Sequence, residues 1–471
     1  MTMDRRRIIL DRARLLADFQ GQKLPAPTRD VLARARDIAG GTVSFYSKVP
    51  VKVGLRDIDW SGGHIRHQEW PAQLNRFGYL APLAAAWKKT RDERFAAAAR
   101  AYVGDWIVHG GSYETGGRLR AGDNTLGISI RLGSSVHAGW GGTLPQFLDS
   151  AAFDDAFVER VLASMSSQAE FLSRHLSPRG NWRIAHLDAL VFTALRFPFM
   201  PSAKRLLAAG IRGMRAALAT QFLADGVHVE RTPGYHAWMT NVAWAYLRLA
   251  RLFPEADAQA DPVTLARAFD YQVQSALSGF NDATTPVREH DTAPLLKQRL
   301  EMLRSGRLEK RFGRTPPMAQ VFPDAGQVFL RSSWKPQADY LAFDAGTWGG
   351  AHSHLSRLAF TLRSGGRLLV ADPGILSYEM SDPYGPYGKS TPAHSTLNIG
   401  GGNQSECDAK LMRAELTRDV ALIHAKYEGG YWPGEFGWTF REGHGRGAAG
   451  LHERVLFWVR GEYLLVLDRM E

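Results

Sequence analysis

Apolar residues recur three or four positions apart from Asp4 to about Ser305, the spacing of one face of a helix. Between Gln73 and Lys88 this spacing lines up Leu74, Phe77, Leu80, Leu83 and Trp87. Arg94 to Ile107 continues with Phe95, Ala98, Tyr102 and Trp106. Further helices are predicted over Phe153–Leu172, Ile184–Leu195, Ser202–Phe222, His236–Leu252 and Val263–Leu277. Breaks such as Ser177-Pro178-Arg179-Gly180 and Pro198 to Pro201 separate them. Roughly ten helices with almost no strand alternation fill this half. No fixed repeat is present, which excludes the strict-motif solenoids and leaves paired helices closed into a toroid.

After Pro317 the pattern changes to short β runs. Gln327–Leu330, Tyr340–Phe343, Leu358–Leu362 and Leu368–Ala371 read as strands, with a hairpin turn at Ser364-Gly365-Gly366. Arg454–Val459 and Tyr463–Leu467 form another hairpin across Arg460-Gly461-Glu462. The expectation is an α+β multidomain chain, helical over 1–317 and an antiparallel β-sandwich over 318–471. The sequence stops at Glu471 directly after a strand, so an edge strand is left that should have a partner. On this reading the β domain is incomplete at its C-terminus.

Composition narrows the classes. With 45% hydrophobic and 22% charged residues the chain is ordinary globular protein, not a disordered one. A single cysteine, Cys407, excludes an intrachain disulfide and a cysteine-based zinc finger. No apolar run reaches the roughly 18 residues of a membrane helix, and the N-terminus lacks the pattern of a secretory signal. A cytoplasmic location is therefore expected. The 58 basic against 47 acidic residues leave a net charge of +11 over 471 residues. That excess suits a nucleic acid, an acidic glycan or a membrane surface, and an arginine-rich background gives the same number. GxxxxGK[ST], HExxH and GxSxG are absent, which argues against a P-loop NTPase, a zincin protease and an α/β-hydrolase.

Three segments carry residues suited to chemistry. In Ala351-His352-Ser353-His354, strand alternation would put both histidines on one face. Asp372 follows at a predicted strand end and His394 22 residues later; two or three histidines with one carboxylate suit Zn²⁺, although each histidine alone reads more readily as a structural one. In Asp225-Gly226 through Glu230-Arg231-Thr232-Pro233-Gly234-Tyr235-His236, Tyr235 could move a proton, while helix capping by Thr232 and Pro233 explains the same residues without function. In Gly180-Asn181-Trp182-Arg183-Ile184-Ala185-His186, Asn181 is either an N-cap or an amide that binds an anionic oxygen, and His186 lies one turn after Trp182. The 13 tryptophans and 14 tyrosines suit stacking on sugars or bases as well as a core, with Trp140 and Tyr431-Trp432-Pro433 expected to be exposed.

At these segments the sequence resembles the heparinase II/III-like polysaccharide lyases, a group that includes oligoalginate and heparin lyases. The resemblance runs from about residue 65 to 470. It is carried by Glu69 to Arg76, by Gly180 to Phe197, by Asp225-Gly226 through Tyr235-His236, and by the β-region set. That set is the most specific part: an HxH (His352, His354), a DPG (Asp372 to Gly374), a DP-x₃-Y ending in Tyr387, and an ST-x₂-H ending in His394. The resemblance implies an N-terminal (α/α) toroid, a C-terminal β-sandwich, an active site in the cleft between them, and β-elimination on a uronate polysaccharide. By the same resemblance Asn181 neutralises the uronate carboxylate. Tyr235 acts as acid, and also as base in a syn elimination. His352 acts as base or supports an anti route. Arg131, Arg183, His186, Glu230, Tyr387 and Lys389 are expected to bind substrate, with Lys389 standing where the family tends to have Arg. His354, Asp372 and His394 match the ligands of a structural Zn²⁺, and no organic cofactor is implied. The partner is an anionic polysaccharide rather than nucleic acid, and family members are often periplasmic or secreted.

One position departs from the family pattern. The residue after the Asn is usually His and here is Trp182, which cannot carry a proton. The alternatives are then a glycoside hydrolase on an (α/α) toroid, with Asp225 and Glu230 as its carboxylates, or a non-catalytic glycan-binding relative.

Overall fold

The computed structural model describes residues 1–45, 49–109, 123–283, 292–379, 381–417, 419–432 and 450–471. Secondary structure passes from helix to strand between Phe312 and Ala319. Compactness divides the chain elsewhere. One unit contains Met1–Leu218 and Ala245–Ala260; the other contains Ala219–Trp244 and Asp261–Glu471. Among the described residues no helix is long and apolar enough to cross a membrane.

The first unit is almost entirely helical. Its most interior element is helix Gly180–Arg196, where every residue from Ile184 to Arg196 is buried. A helix apolar on all sides belongs inside a core. It packs on helices Thr125–Leu132 and Asp155–Arg174. Its one acid, Asp188, is buried and accepts hydrogen bonds from the backbone and hydroxyl of Ser135 at 3.1 and 2.7 Å. The stretch Gln73–Lys88, read from periodicity as one helix, is two: Trp70–Arg76 and Leu80–Thr90. Phe77 takes a left-handed φ of 60° just before Gly78 and ends the first helix, yet all five predicted face residues are buried. Trp140 was expected at the surface and is 1% exposed. Its ring meets Phe77 and Trp106 edge-on at 5.2 and 5.3 Å, because the Gly-rich start of helix Gly139–Phe147 lets the backbone approach closely.

The second unit holds two large antiparallel sheets and a two-stranded one that pairs Asn403–Gln404 with Tyr431–Trp432. Ala319–Phe322, Gln327–Arg331, Tyr340–Asp344, Ala359–Ser364 and Arg367–Val370 form a five-stranded meander in chain order. Ala409–Leu416, Val420–Tyr427, His452–Val459 and Tyr463–Met470 form a four-stranded one. Period-2 alternation explains the packing. Val328, Leu330, Leu341 and Phe343 point into a core shared with Ala421, Ile423, Ala425, Leu456 and Trp458 of the other sheet. The intervening Phe329, Tyr340 and Ala342 point the other way, against Val227, Tyr271, Leu277 and Phe280. Strands Gln327–Arg331 and Tyr340–Asp344 are thus covered on both faces, by the second sheet and by helix Pro262–Ser275, while the edge strand Arg367–Val370 stays exposed. The hairpin at Gly365-Gly366 forms as expected, with φ of 54° and 79°, the positive pair that a two-residue turn requires. Tyr431 was expected to be exposed and is buried, its ring against Tyr427; Trp432 is half-buried and donates to Gln404 O, and Pro433 lies outside the described residues.

Candidate functional site

Tyr235 stands in the first turn of helix Pro233–Leu252, at the end of a loop tightened from within. Gly226 makes the turn at φ 86°. The Asp225 carboxylate accepts from Val227 N and Ala325 N at 3.2 and 2.9 Å. His228 N donates to His236 Nδ1 at 3.1 Å, and Glu230 N donates to His228 Nδ1 at 3.4 Å. Both histidines must be neutral to accept these bonds, and burial lowers their pKa values to about 4 and about 3. Thr232 Oγ1 donates back to Glu230 O at 3.1 Å just before the helix begins at Pro233. The Thr232 hydroxyl is thus turned to a carbonyl rather than capping a helix amide, while its own carbonyl accepts from His236 N at 2.8 Å and opens the helix that carries Tyr235.

Tyr235 and His352 stack with ring centroids 3.8 Å apart and planes 20° from parallel. His352 Nδ1 donates to Glu230 Oε2 at 3.0 Å, with the two side chains 16% and 12% exposed. The Tyr235 and Tyr378 hydroxyls are 3.1 Å apart. With Nδ1 committed to a carboxylate, Nε2 is the ring nitrogen left to exchange a proton, and the carboxylate stabilises the imidazolium that results. Glu230, expected among substrate contacts, is hydrogen-bonded to His352. Asp225, its suggested partner in a hydrolase, is committed to backbone amides. Each of the two suggested carboxylates thus has another partner, which disfavours them as the pair that glycoside hydrolysis needs.

His352 and His354 do not share a strand face. Residues 351–354 form a turn and an irregular stretch, and the two rings go to different places. His354 Nε2 donates to Asp282 Oδ1 at 2.8 Å, and His394 Nδ1 donates to Asp372 Oδ2 at 2.8 Å. His354, Asp372 and His394 are all buried, each with a ligand atom within 4.8 Å of the others. Among the described residues His354 Nδ1 and His394 Nε2 are buried without a hydrogen-bond partner. Burial, against the pull of Asp282, lowers the His354 pKa to about 4 and keeps its lone pair available. A carboxylate on the far nitrogen of a ligating histidine is the usual support of a metal site. These three residues fit a borderline divalent cation such as Zn²⁺.

Lys389, expected to bind substrate, is fully buried. Its Nζ lies 2.7 Å from Asp282 Oδ1 and donates to Ala351 O at 3.0 Å. Tyr387 on the same short helix is half-exposed and open to a ligand. In the first unit Arg131, also expected at substrate, is fully buried and paired with Asp123 at 2.8 Å. Asn181 is buried in the first turn of its helix, whose N-cap is Arg179, so it is not the cap. His186 was expected near substrate and is fully buried; its Nδ1 accepts from Ser177 N at 3.1 Å, and burial lowers its pKa to about 4. It fastens the Ser177–Gly180 turn to the helix. Trp182 and Arg183 are half-buried, and Arg183 reaches Ser177 O at 3.3 Å. Sequence reasoning missed Tyr378, Asn281 and Asp282. Nothing in their local pattern marks them; they matter through partners 50 to 143 residues away.

Comparison with known proteins gives a consistent picture. The family model described as heparinase II/III N-terminus matches residues 30–289, and that described as heparinase II/III-like, C-terminal matches 314–471. A heparin-sulfate lyase of Pedobacter heparinus is 21% identical over 487 aligned residues, covering 96% of this chain and 68% of that protein. One from Bacteroides thetaiotaomicron is 24% identical, covering 74% and 54%. Across the curated relatives this chain spans 54% to 68% of their length. The crystal structure of heparinase III superposes with a TM-score of 0.77 at 18% identity, covering 96% of this chain and 72% of that one. The heparan sulfate lyase of Pedobacter heparinus gives 0.62 at 20% identity, covering 98% and 72%. These likenesses establish the fold class, a helical toroid region followed by antiparallel β-sheets, and with both family models covering most of its length the chain belongs to the heparinase II/III family.

Proposed function

We propose that this chain is a polysaccharide lyase that cleaves a uronate-containing anionic polysaccharide or oligosaccharide by β-elimination. The observation that carries the reading is the stack of Tyr235 on His352, with Glu230 hydrogen-bonded to the histidine. The reaction removes the C5 proton, α to the uronate carboxylate, and expels the C4 oxygen. It needs a base at C5, an acid at O4 and something to hold the enolate-like dianion. Tyr235 serves as acid, and as base too in a syn route; His352 serves as base or as support in an anti route. Asn181 is assigned to the carboxylate. The net charge of +11 favours a polyanion. Because the curated relatives are named heparin-sulfate lyases, a sulfated glycosaminoglycan is the first substrate to try.

The test is to incubate purified protein with heparan sulfate, heparin, hyaluronan and alginate and to follow the ultraviolet absorbance of the unsaturated uronate product. Tyr235→Phe should lower turnover by about 10²-fold or more. A folded protein that yields no unsaturated product on any of these polymers would refute the reading. We also propose that His354, Asp372 and His394 hold a structural Zn²⁺, which would supply folding energy rather than chemistry. Elemental analysis should find about one divalent ion per chain, and His354→Ala should lose it and lower the melting temperature. Protein purified without chelator and free of metal would remove this proposal.

A further inference from the structure

Glu230 and His352 lie 122 residues apart in sequence, and their contact depends on two loops being held in register. One side chain bridges those loops. Asn281 Nδ2 donates to Arg231 O at 3.2 Å, one residue after Glu230. Its Oδ1 accepts from His354 N at 3.0 Å, two residues after His352. The two partners fix which end of the amide is which, since one can only accept and the other only donate. The next residue adds a third bond, from Asp282 N to His352 O at 3.1 Å. Asn281 is 1% exposed, so these bonds form away from water. Asn281 and Arg231 both take left-handed backbone, at φ 58° and 51°. Left-handed backbone at a half-buried arginine is strained and persists only where surrounding contacts over-determine it, and Asn281 supplies one of them through Arg231 O.

We propose that Asn281 is a positioning residue: its amide clamps the Glu230 loop to the His352 loop and sets the imidazole against both Glu230 and the Tyr235 ring. The proposal rests on the lyase reading for its turnover readout and is independent of it for the rest. Glycine accepts the φ of 58° without strain, so Asn281→Gly removes the clamp while easing the backbone.

Two quantities are measured on the full chain. The first is turnover on whichever uronate polymer the wild type cleaves. A clamp that fixes geometry predicts a fall in kcat of about 10- to 100-fold with KM changed by less than about threefold. The second is the rate at which diethylpyrocarbonate modifies His352, read by peptide mass spectrometry. It should rise several-fold, while His424, on strand Val420–Tyr427 and 31% exposed, should keep its wild-type rate. Asn281→Asp keeps the acceptor for His354 and loses the donor to Arg231; it should show the same signature to a smaller degree, and it carries the test if the glycine variant fails to fold. Variants with wild-type His352 reactivity would overturn the proposal, and so would an equal rise at His424, which reports general loosening. If the wild type cleaves no uronate polymer, the lyase reading falls and the two modification rates still decide this proposal.

Discussion

Lys389→Met tests the claim that this lysine belongs to the scaffold rather than to the substrate. Its Nζ lies 2.7 Å from Asp282 Oδ1, and both side chains are wholly inaccessible to solvent. Burial pushes the lysine pKa down, against the pull of Asp282. Removing the ammonium leaves Asp282 with one bond from His354 Nε2 and with an Oδ2 that has no hydrogen-bond partner among the described residues. Breaking one side of a buried pair costs about 3–5 kcal/mol, because the remaining charge stays desolvated. Asp282→Asn in the same chain removes that charge, so the double variant should be about 1–2 kcal/mol more stable than Lys389→Met alone. The chain has two compact units, and a single unfolding free energy does not describe it. Native-state hydrogen exchange on strands Tyr340–Asp344 and Ala359–Ser364 reports the second unit separately. A loss below about 1 kcal/mol in Lys389→Met, or a double variant less stable than the single one, would refute the buried-pair argument.

Two further outcomes follow from the site. Glu230→Gln keeps an acceptor for His352 Nδ1 but exchanges a charge-assisted bond for a neutral one, so kcat should fall about tenfold, with Glu230→Ala falling further; equal rates in wild type and both variants would show that the 3.0 Å contact is idle. Acid should weaken the second unit through His228 and His236, which are neutral when folded, with pKa values of about 4 and about 3, below the 6.5 of the free side chain. The unfolded chain binds the extra protons, so their stabilisation is complete above pH 6.5 and is lost as pH falls toward the folded values, by about 3 kcal/mol or more per histidine. Native-state hydrogen exchange on strands Tyr340–Asp344 and Ala359–Ser364 at pH 7.5, 6 and 5 should show this slope in the second unit, and His228→Asn should flatten it; no such slope in the wild type would contradict the buried neutral pair.

The helices and most strands were legible because each depends on local periodicity. Helix Pro262–Ser275 lies within two residues of the stretch read from spacing, and the Gly365-Gly366 hairpin follows from the backbone freedom of glycine. Phe77 shows the limit: its apolar position was right, but a left-handed turn before Gly78 split the helix without disturbing the face. Strands Ala409–Leu416 and Val420–Tyr427 were missed: in the first a register shift breaks the alternation, and in the second the buried alternate positions include two alanines, a weak apolar signal.

The candidate chemistry divides in the same way. The types and order of the key residues, Tyr235, His352, His354, Asp372 and His394, stand in the sequence as motifs, and the family can be read from them. The family resemblance suggested that Arg131 and Lys389 would meet an anionic substrate, and only the folded chain reveals that each is buried against an aspartate. Sequence spacing likewise paired His352 with His354, while the tertiary structure sends one to Glu230 and the other to Asp282. The physical reason is one of range. Periodicity and turn chemistry act over a few residues and are written in the chain. Whether a charged or polar side chain faces solvent or a buried partner depends on which distant segment arrives beside it, and packing of the whole unit decides that.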